Sequence, residues 1–180
     1  MSGMRILIIV IGAIIVLFLA VGLFLPSKAH VERSITINAP ADSVFLMVAD
    51  FKHYLKWNPL SLYESGAENT ISGNPAEVGH CWAWVGDTIG TGKLTIEDII
   101  PGKMIHSSLV FTAPDSYKSE EIWKFEPTST GIKVTWSNES DLSYPIGRFF
   151  GLFLDSMMGS EFEKGLSQLN KYCMNRFQNN

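Results

Sequence analysis

Residues 119–138 read SEEIWKFEPTSTGIKVTWSN, and their reading decides the fold. Two alternating runs flank Thr128-Ser129-Thr130, the pattern of an antiparallel hairpin in which side chains two apart share a face. In simple register Trp123 lies opposite Trp136 and Glu121 opposite Asn138. Glu121, Trp123 and Phe125 then face the same way as Val134, Trp136 and Asn138. A second turn at Pro114-Asp115 brings Ile105, Ser107, Leu109 and Phe111 to that face, and the run before it brings Leu94 and Ile96. An aromatic sheet face crossed by one polar row results.

Working outward, the chain from Leu62 to Asp141 consists of short β segments separated by Gly, Pro, Asn and Asp. Gly79 to Val85, which carries Trp82 and Trp84, Gly90 to Ile99, Met104 to Phe111, Ser119 to Phe125 and Ile132 to Asn138 are the clearest. A weaker segment near Glu68 to Ile71 and a first strand through Ser34-Ile35-Thr36-Ile37 bring the total to about seven. Between that first strand and the meander, the spacing of Val44, Phe45 and Val48 predicts a short helix. A further turn or two over Phe51 to Trp57 stops before Pro59, because the residue preceding proline is biased away from helix.

The C-terminal part reads as helix in two pieces. Pro145 suits a first helical position, and Phe149, Phe150, Phe153, Leu154 and Met157 make an apolar band. Met158-Gly159 allows a kink, and Ser160 with Glu163 has the spacing of a capping box. Phe162, Leu166, Leu169, Cys173 and Phe177 then recur at intervals of three and four, so one face is buried.

An aromatic sheet face under a helix has two readings. It is either a packed core, in which the rings contribute burial energy, or a pocket whose apolar walls carry a few orienting polar groups. Glu121 separates them, since an unpaired carboxylate in a dry core is costly and needs a partner, water or a ligand group. A pocket here would be lined by Trp82, Trp84, Leu94, Leu109, Phe111, Glu121, Trp123, Trp136 and Asn138 from the sheet, with Phe153 and Met157 from the helix.

Motifs for other chemistries are missing. His30, His53, His80 and His106 lack metal-ligand spacing, and neither H-E-x-x-H nor G-x-S-x-G occurs. Gly86 to Lys93, GDTIGTGK, has five residues between its glycines and Leu94 after the lysine, so it reads as a hairpin turn and not a phosphate loop. Asn138-Glu139-Ser140 matches a glycosylation acceptor, but an inward Asn138 opposes that use. His80 and Glu121 could form an acid–base pair or, more simply, a buried structural one. Cys81 and Cys173 are too few for a disulfide framework or a zinc site and read as free thiols. A formal charge of −4 offers no electrostatic footprint for nucleic acid.

Residues Ile6 to Leu25 form an apolar run without a polar side chain. Twenty helical residues span roughly 30 Å, the thickness of a bilayer's hydrocarbon core. A cleaved signal peptide would need a shorter core and small residues at its end, whereas this run ends in Leu23-Phe24-Leu25-Pro26. The reading is therefore residues 1–27 as a transmembrane anchor and linker, with 28–180 as one domain on a short tether. Arg5 and the terminal amine nearly balance Lys28 and Arg33 under the positive-inside rule, and the short N-terminal tail tips the domain towards the extracytoplasmic side.

Several modest motifs carry a family resemblance. Ser34-Ile35-Thr36-Ile37-Asn38-Ala39-Pro40-Ala41-Asp42-Ser43-Val44-Phe45, Trp57-Asn58-Pro59, Trp84-Val85-Gly86, Gly90-Thr91-Gly92, Trp123-Lys124-Phe125-Glu126-Pro127, Lys133-Val134-Thr135-Trp136 and Phe162-Glu163-Lys164-Gly165-Leu166 occur in that order. In this respect residues 31 to 175 resemble the polyketide cyclase/dehydrase-like branch of the SRPBCC, or START-like, superfamily. The resemblance implies an α+β helix-grip fold, an antiparallel sheet wrapped around a long C-terminal helix with two short helices closing one end. It also implies an apolar cavity between sheet and helix for lipids, polyketides or other hydrophobic molecules, and so favours the pocket. No catalytic or metal-binding set of the superfamily's enzymes matches here. The expectation is a membrane-tethered binder of a hydrophobic small molecule or lipid, without cofactor, metal or catalysis. A cyclase, dehydratase or hydrolase using Glu121 or His80 and a protein-interaction module with a filled core remain as alternatives, and oligomeric state is left open.

Overall fold

A computed structural model describes residues 2–177. Helix α1 (Ser2–Phe24) is the one helix among the described residues long and apolar enough to cross a membrane. From Gly3 to Phe24 its side chains are exposed except at Gly22. Residues 25–27 join it to strand β1 (Lys28–Ile37), which begins earlier than its apolar pattern suggests. The reason is pairing: the Leu142 N–H donates to the Ser27 carbonyl, and Lys28 pairs with Asp141.

Helix α2 (Ala41–Ala49) buries Val44, Phe45, Met47, Val48 and Ala49. Helix α3 (Phe51–Tyr54) follows, started by the Asp50 carboxylate accepting the Lys52 N–H at 2.9 Å. The expected stop before Pro59 is also a start. Asn58 accepts the Leu60 N–H, and Pro59 opens a third short helix, α4 (Pro59–Tyr63). Proline suits a first turn because its missing N–H would have no partner there.

Six further strands are β2 (Glu68–Ser72), β3 (Cys81–Val85), β4 (Thr91–Ile100), β5 (Met104–Ala113), β6 (Tyr117–Thr128) and β7 (Gly131–Asp141). They form one antiparallel sheet in the order β1-β7-β6-β5-β4-β3-β2. Trp123 pairs with Trp136 and Glu121 with Asn138, and Ser107 continues the polar row on β5. Register shifts in β4, at Thr91/Gly92 and Ile96/Asp98, add local twist that curls the sheet.

The sheet curls around helix α5 (Ile146–Phe177), which completes the α+β helix-grip architecture. This helix is continuous, so neither the expected break at Met158-Gly159 nor the capping box exists. The Ser160 hydroxyl donates to the Met157 carbonyl, and the Glu163 carboxylate accepts from Arg33 Nε at 2.9 Å. Gly159 is there for close approach. A Cβ at this position would lie 2.0 Å from Arg33 Nη2, where the guanidinium crosses the helix to reach Asp155 and Glu163. Arg33 thereby clamps α5 to the edge strand β1.

Candidate functional site

Between the sheet and the first half of α5 lies a cavity of about 440 Å³. The sheet contributes Trp82, Leu94, Leu109, Phe111, Trp136 and the polar pair Glu121 and Asn138, together with Tyr117. Helix α5 contributes Phe150, Leu154, Met158, Glu161 and Phe162, and the short helices with their cap contribute Tyr54, Asn58, Pro59, Leu60 and Tyr63.

Four residues expected in the lining lie elsewhere. Trp123 is fully buried behind the wall, stacked on Trp136 at 4.6 Å and met edge-on by Tyr54 and Trp57. Trp84 is buried beneath Trp82 and Phe111, which meet the cavity in its place. Phe153 and Met157 are 61% and 54% exposed. The apolar band of α5 is wider than one face, and packing turns Leu154 and Met158 inward instead, while the half-exposed Phe150 borders the cavity.

Glu121 is 4% exposed. Its Oε1 accepts hydrogen bonds from Trp123 Nε1 at 2.7 Å and from the Tyr54 hydroxyl at 3.2 Å. Burial pushes its carboxyl up to about 7 against the pull of these donors. The Trp136 indole N–H pulls the same way without closing a hydrogen bond of normal geometry, and its nitrogen is buried with no partner. Burial, and then the neighbouring carboxylate, hold the Tyr54 hydroxyl well above its ordinary range, so it stays a donor. Asn138, although opposite Glu121, turns its amide to Ser119 Oγ at 2.9 Å. The cavity thus has largely apolar walls carrying two carboxyls, Glu161, which is paired with Lys164, and the buried Glu121, which is partly protonated near neutrality.

His80 is not Glu121's partner. Its Nε2 accepts the Phe51 N–H at 3.1 Å, so its proton sits on Nδ1 and is donated to the Ser72 carbonyl at 3.0 Å. The ring stacks on Phe51 and ties the start of α3 to the end of β2. Cys81 and Cys173 are free thiols, and burial pushes the Cys173 thiol up to about 12. No metal-holding cluster occurs among the described residues. Residues 86–90 of the GDTIGTGK segment form the β3–β4 turn, and the backbone N–H groups at Asp87, Thr88 and Ile89 all donate to the Glu64 carboxylate. That nest already holds its own anion, which keeps the Glu64 carboxyl below its usual range.

On the exposed side of the lining the Tyr63 hydroxyl donates to Glu161, which also accepts from Lys164 Nζ at 2.7 Å. This joins α4 to α5 beside the cavity.

Residues 28–173 match the family described as polyketide cyclase / dehydrase and lipid transport. The chain is a member of that family. A Streptomyces cyaneus relative, whose name proposes a polyketide cyclase, is 28% identical over 118 residues, which is 61% of this chain and 71% of that protein. Among solved structures, the di-domain ARO/CYC StfQ from the steffimycin biosynthetic pathway superposes with a TM-score of 0.64 at 10% identity. It covers 83% of this chain and 51% of its own. A Mesorhizobium loti protein gives 0.57 at 17% identity over 79% of this chain and 97% of its own. The Aha1 dimer structure from Colwellia psychrerythraea gives 0.54 at 14% identity, with 79% and 96% covered. At such identities these likenesses show the helix-grip fold alone.

In this family member the wall from α3 and α4 escaped the sequence reading. One signal for it was available: Asn58-Pro59 is a cap followed by a first-turn proline, which marks a new helix as well as an end. Nothing local indicated that Tyr54, four residues before that cap, would reach Glu121.

Proposed function

We propose that this polyketide cyclase/dehydrase family member is a membrane-anchored protein that binds one hydrophobic small molecule or lipid between sheet and α5. The observation that carries the reading is the open cavity of about 440 Å³, a volume ordinary for small-molecule sites. An interior closed by its own side chains is the alternative this space opposes. Helix α1 supports the anchor, and holding the cavity beside a bilayer raises the local supply of an apolar ligand. A lining that carries Glu121 and Glu161 and no Lys or Arg disfavours an anionic ligand and fits one whose polar group meets Glu121.

Native mass spectrometry of the full chain released from detergent tests this. The expected result is a bound apolar species that Leu109→Trp, which fills the cavity, expels. A folded wild-type chain that carries nothing and takes up no Nile red would overturn it.

A second reading rests on Glu121 itself. A carboxyl with a pKa of about 7 facing a cavity is suited to general acid or base work. Under that reading Glu121→Gln keeps ligand occupancy and lowers turnover of a hydrophobic substrate by about 10²- to 10⁴-fold. Under the binding reading neither form converts any substrate.

A further inference from the structure

The exposed side of α5 changes character along its length. Ile146, Phe150, Phe153 and Met157 follow one another at intervals of four, three and four, and each is at least half exposed. Leu152 adds further exposed apolar surface on the flank. Asp155, the acid of this stretch, turns to Arg33 on β1. From Glu161 onward the exposed positions carry Glu163, Lys164, Lys171 and Arg176. A helix half that shows large apolar groups in a row is unusual on a soluble surface and marks an interaction face.

The position of this stripe indicates its occupant. It begins where α1 ends: Phe149 stacks on Phe18 at 4.3 Å, Tyr144 donates to the Leu19 carbonyl, and Arg148 donates to the Gly22 carbonyl. Gly22 permits the approach, since a Cβ there would lie 3.3 Å from both Phe149 and Tyr144. The last turn of a spanning helix sits at the boundary between hydrocarbon and headgroups, where tyrosine and arginine place apolar bodies in lipid and polar ends in water. The stripe continues from that level, and Phe150 belongs both to it and to the cavity lining. Leu62 and Tyr63 of α4, about half exposed, extend apolar surface beside the mouth.

We propose that the first half of α5, Ile146 to Met157, lies in the interfacial layer of the membrane that α1 crosses, so that the cavity mouth opens onto lipid. The proposal rests on the reading of α1 as a retained anchor and of the cavity as a ligand site. The ligand then enters by lateral transfer from the bilayer without crossing water, and Phe150 stands at the passage between the two.

The test uses the full chain in phosphatidylcholine vesicles with Cys81→Ser, and one environment-sensitive fluorophore attached through Phe153→Cys, Ile146→Cys or Lys171→Cys. Labels at the first two positions are expected to be quenched by nitroxide lipids and shielded from aqueous iodide several-fold relative to the label at 171. Retention of the chain in an alkaline carbonate wash reports on the anchor. Retention with iodide quenching equal at all three positions would overturn the interfacial placement and leave the anchor standing. Release by the wash would overturn both. As a functional arm, Phe153→Glu with Met157→Glu should slow Nile red loading from vesicles about tenfold while loading from detergent solution is unchanged. Equal slowing of both routes would count against lateral entry.

Discussion

Glu121 concentrates the chemistry of this molecule in one side chain. Because burial raises its folded-state pKa from 4.5 to about 7, the folded chain holds a proton that the unfolded chain releases within that range. Stability is therefore lost as pH rises from about 4.5 through 7, and the loss levels off above, reaching at most about 3 kcal/mol. Glu121→Gln keeps an acceptor for Tyr54 and Trp123 but cannot ionise. Its urea midpoint should exceed that of the wild type at pH 8 by more than it does at pH 5; a difference independent of pH would mean that the carboxyl is ionised throughout. Trp136 belongs to the same scale. It is stacked between Trp123 at 4.6 Å and Phe162 at 4.1 Å, so Trp136→Ala should cost about 3 to 5 kcal/mol in urea unfolding. A cost under about 1 kcal/mol would show that the ring edges an already open space and supports little.

At the scale of elements, the attachment of α5 to β1 decides where the cavity lies. Arg33 holds it through Asp155 and Glu163, and Gly159 leaves room for the guanidinium. Gly159→Ala should lower the melting temperature by displacing Arg33. In an Arg33→Met background the same change should cost little, since the clamp it displaces is already gone. Equal losses in the two backgrounds would separate Gly159 from the clamp. In the linear pattern Met158-Gly159 allows a kink that the continuous helix does not take. What the linear pattern could not contain is the arginine arriving from a strand more than a hundred residues earlier.

On the scale of the whole molecule, Phe18, Leu19 and Gly22 in the last turns of α1 meet Tyr144, Arg148 and Phe149 at the start of α5 and just before it. A chain truncated to begin at Lys28 keeps all seven strands and every residue of the cavity wall. It should unfold cooperatively with a near-UV tryptophan signal like that of the full chain, and its melting temperature should fall by no more than a few degrees. Loss of that signal would show that α1 is part of the core. Such a chain should also self-associate through the exposed α5 stripe, and Phe153→Ser with Met157→Ser should relieve this in analytical ultracentrifugation.

The sequence alone determined the sheet: period-two alternation is a local property of the strand, so the Trp123–Trp136 and Glu121–Asn138 pairings could be read without coordinates. It determined the apolar N-terminal helix for the same reason, since length and composition suffice there. Only the tertiary structure decided which flank of the broad apolar band on α5 turns inward, that Trp84 and Trp123 back the wall while Tyr54 and Phe150 face the space, and that Glu64 fills the glycine turn. Each of these depends on how far a helix is rotated or a sheet curled before side chains meet. That rotation is set by close packing among residues distant in the chain, on which local periodicity carries no information.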